Sequence, residues 1–587
     1  MLGVYAVLNK YSNKKLLESK IIFDKSHNLK TVTNQNSTFS LVYPNISRDY
    51  AYFSNKTGFI LIDGFVFDNN GKRIYAKELF DLITNKLDII KNFNGEFFIV
   101  YNLKSETYFF NDIFGQRQHY ISNLKSEISI APSPGVSLDI LELKRNLNKK
   151  SFLTFILTNK IRYQDQSIWN NSKIYPPASI LIHNKDNTKF DKYWTLTHDN
   201  KIQKFDSELF IHLYKHAVNQ RVLSNNVGIT LTGGLDSRSM IAAIKKSKLN
   251  TISAYTIGSN SSNEVIIAKK VANNLKLNHN VFKIDPELYF STEYLKYFKN
   301  EDIDLIIQGV WKPFSKEINN HDYILHGLDL DVTLGGIYLT KELSKINKKQ
   351  DFIDYVLKNN LRIDNKNINA LFKKDIIDFF DINKYLIDVV NDFNGKNFLE
   401  KYDKFIMQNS MNRVILQRYR GIRRHVETIS PMYDRKLLDY IFSLNINERV
   451  NYKSFYPFIN KLTPELCKIN YQRTGLPANT PVKYWKKNQI IQTQTEELYR
   501  KIARDSNGNK FIPYNKYYTN VDEWMRFNKV WVDYLSEMLQ SKNSIIRKDW
   551  INGKYVDKLI NEHINHKKSN FGILLTLISA EYFLRIT

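Results

Sequence analysis

Gly233 and Gly234, followed at once by Leu235, Asp236 and Ser237, have the types and spacing to hold a phosphate. Two glycines let the backbone turn tightly and approach a ligand with no Cβ in the way. Amides at the opening of a following helix then offer unpaired N–H groups and a positive dipole end to an anion. The spacing is neither the GxxxxGK[ST] of the common triphosphatase loop nor the GxGxxG of dinucleotide binders. A second group, Gly327, Asp329, Asp331, Gly335 and Gly336, sets two carboxylates in a glycine-rich run. Carboxylate oxygens are hard ligands suited to a phosphate-bound divalent cation, and equally serve as turn or capping residues.

These groups need elements to position them. Val227, Ile229 and Leu231 predict a buried strand, and a helix is predicted from Ser237 to Ala243. Thr251–Gly258 reads as a second strand, and Val265, Ala268, Val271, Ala272 and Leu275 fall at helical spacing. Tyr323–His326 is a third strand. Strand, helix, strand, helix predicts a doubly wound parallel sheet with ligands at its carboxyl edge. Upstream, residues 1–195 are β-rich: GVYAVL, GFILIDGFVF, EFFIVYNL, ETYFFND and ASILIH alternate or carry aromatics. A polar link over 195–205 separates the two parts, giving domains at 1–195 and 205–480. Residues 337–420 are helical and polar, and 481–587 form a helical extension ending in FGILLTLISAEYFLRI.

At 587 residues, with 43% apolar and 13% aromatic residues, the chain can build two or three cores. A single cysteine, Cys467, excludes an intramolecular disulfide and a thiolate zinc cluster. The formal charge of +26 would permit contact with nucleic acid, but the lysines are scattered and form no basic block. No apolar run approaches the about 18 to 20 residues of a spanning helix, so a cytoplasmic protein is expected.

The run Val227–Ser237, VGITLTGGLDS, resembles the SGGxDS loop of the N-type ATP pyrophosphatases, with Thr232 at the first serine. Asn94–Val100 with Asn111–Arg117, and Ile174–Pro177 with Tyr193 and Trp194, resemble the glutaminase domain of asparagine synthetases. Gly327–Gly336 is similar to that family's SGEGADExxGG, and Glu427, Pro431 and Asp434 match its E-x-R-x-P-F-L-D. The ordered set resembles the asparagine synthetase superfamily, which includes β-lactam synthetases and lasso-peptide cyclases. Three positions depart from it. Leu2 stands where the nucleophilic cysteine follows Met1, Leu328 where synthetases have a glutamate and the lactam-forming relatives a tyrosine, and Ile429 where an arginine is usual.

The resemblance implies an α/β and α+β architecture. A layered, Ntn-hydrolase-like β-sandwich domain would precede an ATP pyrophosphatase domain with a doubly wound parallel sheet. It further implies that ATP lies on Leu231, Thr232, Gly233, Gly234, Leu235, Asp236 and Ser237, with Thr256, Ile257, Gly258 and Gly327. Asp236 and Asp331 would hold Mg²⁺. Lys453 would face the α-phosphate, and with Leu328 in place, Asp329 and Glu427 are the candidate bases. The implied reaction is adenylation of a small-molecule or peptide carboxylate, then amide formation with an amine or ammonia. Leu2 has no lone pair, so no glutaminase activity is expected. A homodimer is compatible with the sequence. An ammonia-dependent asparagine synthetase, a noncatalytic scaffold and a tRNA-modifying enzyme are the alternatives.

Overall fold

The structure, a computed structural model, describes residues 1–9, 14–21, 27–34, 37–160, 165–184, 187–249, 251–505 and 519–587. The amino-terminal part contains β1 (Gly3–Leu8), β2 (His27–Asn34), β3 (Ser37–Pro44), β4 (Tyr52–Ser54), β5 (Gly58–Phe67) and β6 (Asn94–Leu103). It continues with β7 (Glu106–Asn111), β8 (Tyr120–Leu124), β9 (Glu127–Ala131), β10 (Ser172–Ile174), β11 (Ser179–His183) and β12 (Thr188–Lys192). They form two six-stranded sheets, ordered β10-β8-β9-β1-β3-β2 and β12-β11-β7-β6-β5-β4.

The unbroken apolar run of β5 has a simple cause: both of its faces are covered. Phe59 and Leu61 enter the core between the two sheets with Val4, Ala6, Leu41 and Phe98. Ile60, Ile62 and Val66 point the other way, onto Leu79, Phe80 and Ile83 of the helix Ala76–Asn85. On the outer face of the first sheet, Leu2, Tyr5 and Val7 pack on Leu17, Val136 and Ile140 of two short helices. The part is therefore a four-layer helix–sheet–sheet–helix sandwich.

The second part is built on β13 (Val227–Thr230), β14 (Ile252–Ile257), β15 (Asn278–Phe282), β16 (Tyr323–Leu325) and β17 (Thr428–Ile429). Their order is β15-β14-β13-β16-β17, and every pair is parallel. The chain winds outward from β13 to β15, then returns to the far side of β13 for β16 and β17. The switch point thus lies between β13 and β16, where the loops following these strands diverge and leave a crevice. Helices Ser207–Gln220, Leu235–Ala243 and Asn263–Asn274 share one core with β13.

The terminal run FGILLTLISAEYFLRI is the helix Phe571–Ile586, buried from Ile573 to Phe583 and packed against the helix Lys149–Thr158. Among the described residues no helix is long and apolar enough to cross a membrane.

Candidate functional site

At the carboxyl end of β13 the chain turns through Thr232, Gly233 and Gly234 into the helix Leu235–Ala243. The helix begins two residues before the expected Ser237, with Gly234 at the cap position. Ser237 therefore sits inside the first turn, and its hydroxyl reaches back to brace the loop. Its Oγ accepts the Thr232 amide at 3.0 Å and lies 3.0 Å from Thr232 Oγ1, which itself accepts the Gly234 amide at 3.1 Å.

Gly233 is required by close approach. Its carbonyl accepts the Gln472 amide at 3.1 Å, and a Cβ there would lie 2.8 Å from Gln472 Cβ. The Gly233 amide donates to Glu264, whose carboxyl burial pushes up to about 7. Arg238, with no exposed surface, fastens the same segment: it donates to the carbonyls of Leu466, Ile469, Asn470 and Gly233.

The loop after β16 closes the crevice from the other side. A Cβ on Gly327 would lie 2.9 Å from the Asp236 carbonyl oxygen, so glycine lets the two loops touch. Asp329 adopts a left-handed φ of 87° and leads into the helical turn Leu330–Thr333. That turn aims the Asp331 amide at Asp236 Oδ2, 3.2 Å away. Burial, together with the charge of Asp331, pushes the Asp236 carboxyl well above the usual range. Asp236 Oδ1 is buried and has no hydrogen-bond partner among the described residues. An orphaned carboxylate oxygen beside a second carboxylate fits a hard divalent cation, which would relieve both the burial and the repulsion. The neighbouring strand end is tied to the loop as well, with Thr256 Oγ1 donating to the Leu231 carbonyl at 2.7 Å and lying 2.8 Å from His279 Nε2. Gly258, at φ 150°, donates to Phe282 across β15, and Ile257 is buried in the core beneath.

The sequence-predicted residues thus divide into two sets. Thr232 to Ser237, Gly327 and Asp331 meet at the crevice, with Leu231 and Thr256 directly beneath. Three others have different partners. Asp329 is buried and accepts the Tyr433 hydroxyl at 2.6 Å. Glu427 is buried in an ion cluster: Arg117 donates to it at 2.5 Å and Arg423 at 2.9 Å. Burial alone would raise its carboxyl, but the two guanidiniums outweigh that and hold it at about 2, too low for a general base near neutrality. Lys453 pairs with Glu448, and its side chain is 59% exposed. No hydrogen bond or ion pair among the described residues links Glu427 or Lys453 to the glycine loop.

The cation found at the carboxylates is Arg473, which the sequence reading missed. Its Nη2 lies 3.2 Å from Asp331 Oδ2, and its Nη1 donates to the Tyr452 hydroxyl at 3.1 Å. The available signal was the turn chemistry of Arg473, Thr474 and Gly475, where Gly475 takes φ 70°.

Leu2, at the position expected for the nucleophile, packs in an apolar cluster with Tyr5, Val7, Val136 and Ile140. Leu2 has no exposed surface. In the same part, Arg423 pairs with Asp63, and His119 Nε2 accepts the Val4 amide at 3.0 Å. His119 Nδ1 then carries the proton and donates to the Arg117 carbonyl at 2.8 Å, consistent with burial driving that imidazole down to about 3.

A four-layer sandwich is joined to a doubly wound parallel sheet, with a braced glycine loop and paired aspartates at the switch point, and the chain is an α/β protein of this architecture. Residues 210–298, which carry β13 to β15 and the loop, match the family model described as asparagine synthase. No match was found among the curated proteins. Among solved structures, the chain is similar to glutamine phosphoribosylpyrophosphate amidotransferase from B. subtilis complexed with ADP and GMP, at 10% identity. That match covers 55% of this chain and 74% of that one, with a TM-score of 0.23. An NH3-dependent NAD synthetase from Campylobacter jejuni matches at 16% identity, over 22% of this chain and 61% of its own, with a TM-score of 0.18. A U34-tRNA thiolase from Methanococcus maripaludis matches at 13%, over 52% and 78%, with a TM-score of 0.20. Likenesses at these scores carry no argument about activity.

Proposed function

We propose that the chain is an ATP-dependent amide ligase that adenylates a substrate carboxylate and passes the acyl group to an amine or ammonia, without a glutaminase of its own. The observation that carries this reading is the pair Asp236 and Asp331 beside the braced glycine loop at the sheet's switch point. The asparagine synthase match over the same loop supports it.

In this reading the loop from Thr232 to Ser237 binds the ATP phosphates through its amides, and the crevice above Thr256 and Gly258 takes the nucleoside. Asp236 and Asp331 would hold Mg²⁺, which when bound neutralises charge on the pyrophosphate leaving group. A substrate carboxylate oxygen attacks the α-phosphorus, a P–O bond forms, and the α–β anhydride bond breaks. Arg473, held between Tyr452 and Asp331, is the cation best disposed to stabilise charge on the α-phosphate. A nitrogen nucleophile then attacks the acyl carbon, AMP leaves, and the nitrogen gives its proton to solvent. No protein base is assigned to that last transfer, since Leu328 has no titratable group, Asp329 is bonded to Tyr433 and Glu427 is held at about 2.

ATP–pyrophosphate exchange with a panel of carboxylates tests the reading. Exchange that needs magnesium and one class of carboxylate, and disappears in Asp236→Asn, is expected. A protein that binds Mg-ATP but exchanges with no carboxylate is a scaffold instead.

A further inference from the structure

Tyr452, whose hydroxyl meets Arg473, also lines a separate surface cavity of about 590 Å³ whose wall carries Lys341, Lys345, Lys453 and Lys483, together with Tyr456. That volume is in the range, about 300 to 1,000 Å³, that takes a small ligand. Among the described residues no carboxylate lines it. Lys453 is offset by Glu448, whereas Lys341 and Lys345 have no ion-pair partner among the described residues. The nearby Glu342 pairs with Lys358, which is not part of the wall.

The aromatic side of the cavity is pre-formed. Asn451 and Tyr452 are consecutive left-handed residues, at φ 55° and 63°, a conformation that costs energy in side-chain-bearing residues and is kept where surrounding contacts impose it. The Tyr452 and Tyr456 rings both pack on Trp485, at 5.3 and 6.0 Å between centroids. The Tyr452 hydroxyl meets Arg473, and Arg473 meets Asp331, so a single side chain separates the lysine cavity from the carboxylate pair.

We propose that this cavity is a subsite for a polyanionic acid: the ligase's substrate carries, besides the carboxylate that is activated, at least one further carboxylate or phosphate that docks on Lys341 and Lys345. A net-positive concave wall concentrates anions, and its position beside Arg473 would present one end of such a ligand to the α-phosphate. Only the assignment of the ligand as substrate rests on the adenylation reading; the anion site stands on the cavity itself.

The test is calorimetric titration of the full chain with triglutamate, with triglutamine as the neutral control and a phosphoserine tripeptide as the phosphate arm. Triglutamate or the phosphopeptide binds saturably, more weakly as salt is raised, and the tighter of the two identifies the anionic group. The double variant Lys341→Gln/Lys345→Gln weakens that binding about tenfold. Lys554→Gln/Lys558→Gln, which removes the same charge from the helix Gly553–Ile564, leaves it unchanged. Equal binding of triglutamate and triglutamine, or equal losses in the two double variants, overturns the proposal. Mg-ATP binding is measured in parallel and is unaffected by either pair. Its failure in the wild type would sink the ligase reading while leaving the anion measurement to decide the site.

Discussion

The backbone amide of Asp331 donates to Asp236 Oδ2 at 3.2 Å, so the loop after β16 reads the charge of the residue that opens the helix after β13. One hydrogen bond holds two carboxyl-bearing residues together while the other Asp236 oxygen stays buried, without a hydrogen-bond partner among the described residues. The ligand-free protein therefore carries a like-charge conflict that a bound cation would resolve.

Asp236→Asn should weaken Mg-ATP binding and at the same time stabilise the ligand-free fold by about 1 kcal/mol near neutral pH. The sign follows from the raised folded-state pKa. The folded protein binds the Asp236 proton more tightly than the unfolded chain, so stability is fully present below the ordinary value of 3.8 and declines as pH rises above it. The asparagine variant lacks this decline. Thermal melts of both proteins from pH 4 to 8, without nucleotide, measure it; parallel curves would mean that Asp236 is not the strained group.

Arg117 sits between Glu96, Glu427 and the Thr428 carbonyl, tying the sandwich to the parallel sheet. Arg117→Ala leaves two buried carboxylates short of a partner and should cost about 3 to 5 kcal/mol. Adding Glu427→Gln should recover part of that loss, because one uncompensated charge goes with it. Chemical denaturation of the two single variants and the double variant closes the cycle. If the losses simply add, the pair is not coupled.

Arg473→Gln should lower magnesium-dependent exchange by about 10² or more, the scale of losing one group that stabilises developing charge. Lys453→Gln, which removes a wall lysine whose charge Glu448 already offsets, should retain most of the exchange rate. The reverse order of effects would return the phosphate-facing role to Lys453.

Leu2→Cys should not confer glutamine hydrolysis, because the side chain at this position faces a closed apolar cluster of Tyr5, Val7, Val136 and Ile140. Glutamate release above that of the wild type would show that the pocket opens in solution.

How much of this could be read beforehand depends on sequence distance. β13 and β14 announce themselves because a strand covered on both faces needs a continuous apolar run, and the glycines after β13 mark the turn. β15 and β17 were not legible. Asn278–Phe282 is a polar edge strand with no fully buried residue, and Thr428–Ile429 is too short to show a period. Asp331 could be found because glycines bracket it. Arg473 could not, since it meets Asp331 across 142 residues and no local pattern records that meeting. The ion cluster around Glu427 was not legible for the same reason, with its partner Arg117 lying 310 residues away.

The nitrogen nucleophile is where Leu328 matters most. A general base contributes about 10² to 10⁴ in rate, and ammonia, mostly ammonium at neutral pH, depends on one. Leu328 supplies none, while the carboxyls near it in sequence or motif, Asp329 and Glu427, are already committed to Tyr433 and to the two arginines. An amine presented by the substrate itself suffers less, because its position within the adenylate replaces a bimolecular encounter. The chain should therefore form no asparagine when given aspartate, ammonium and Mg-ATP. Leu328→Glu should raise any ammonia-dependent release of AMP that a suitable carboxylate supports. Asparagine and AMP appearing in step in the wild type, and both lost in Asp236→Asn, would instead make this an ammonia-dependent asparagine synthetase.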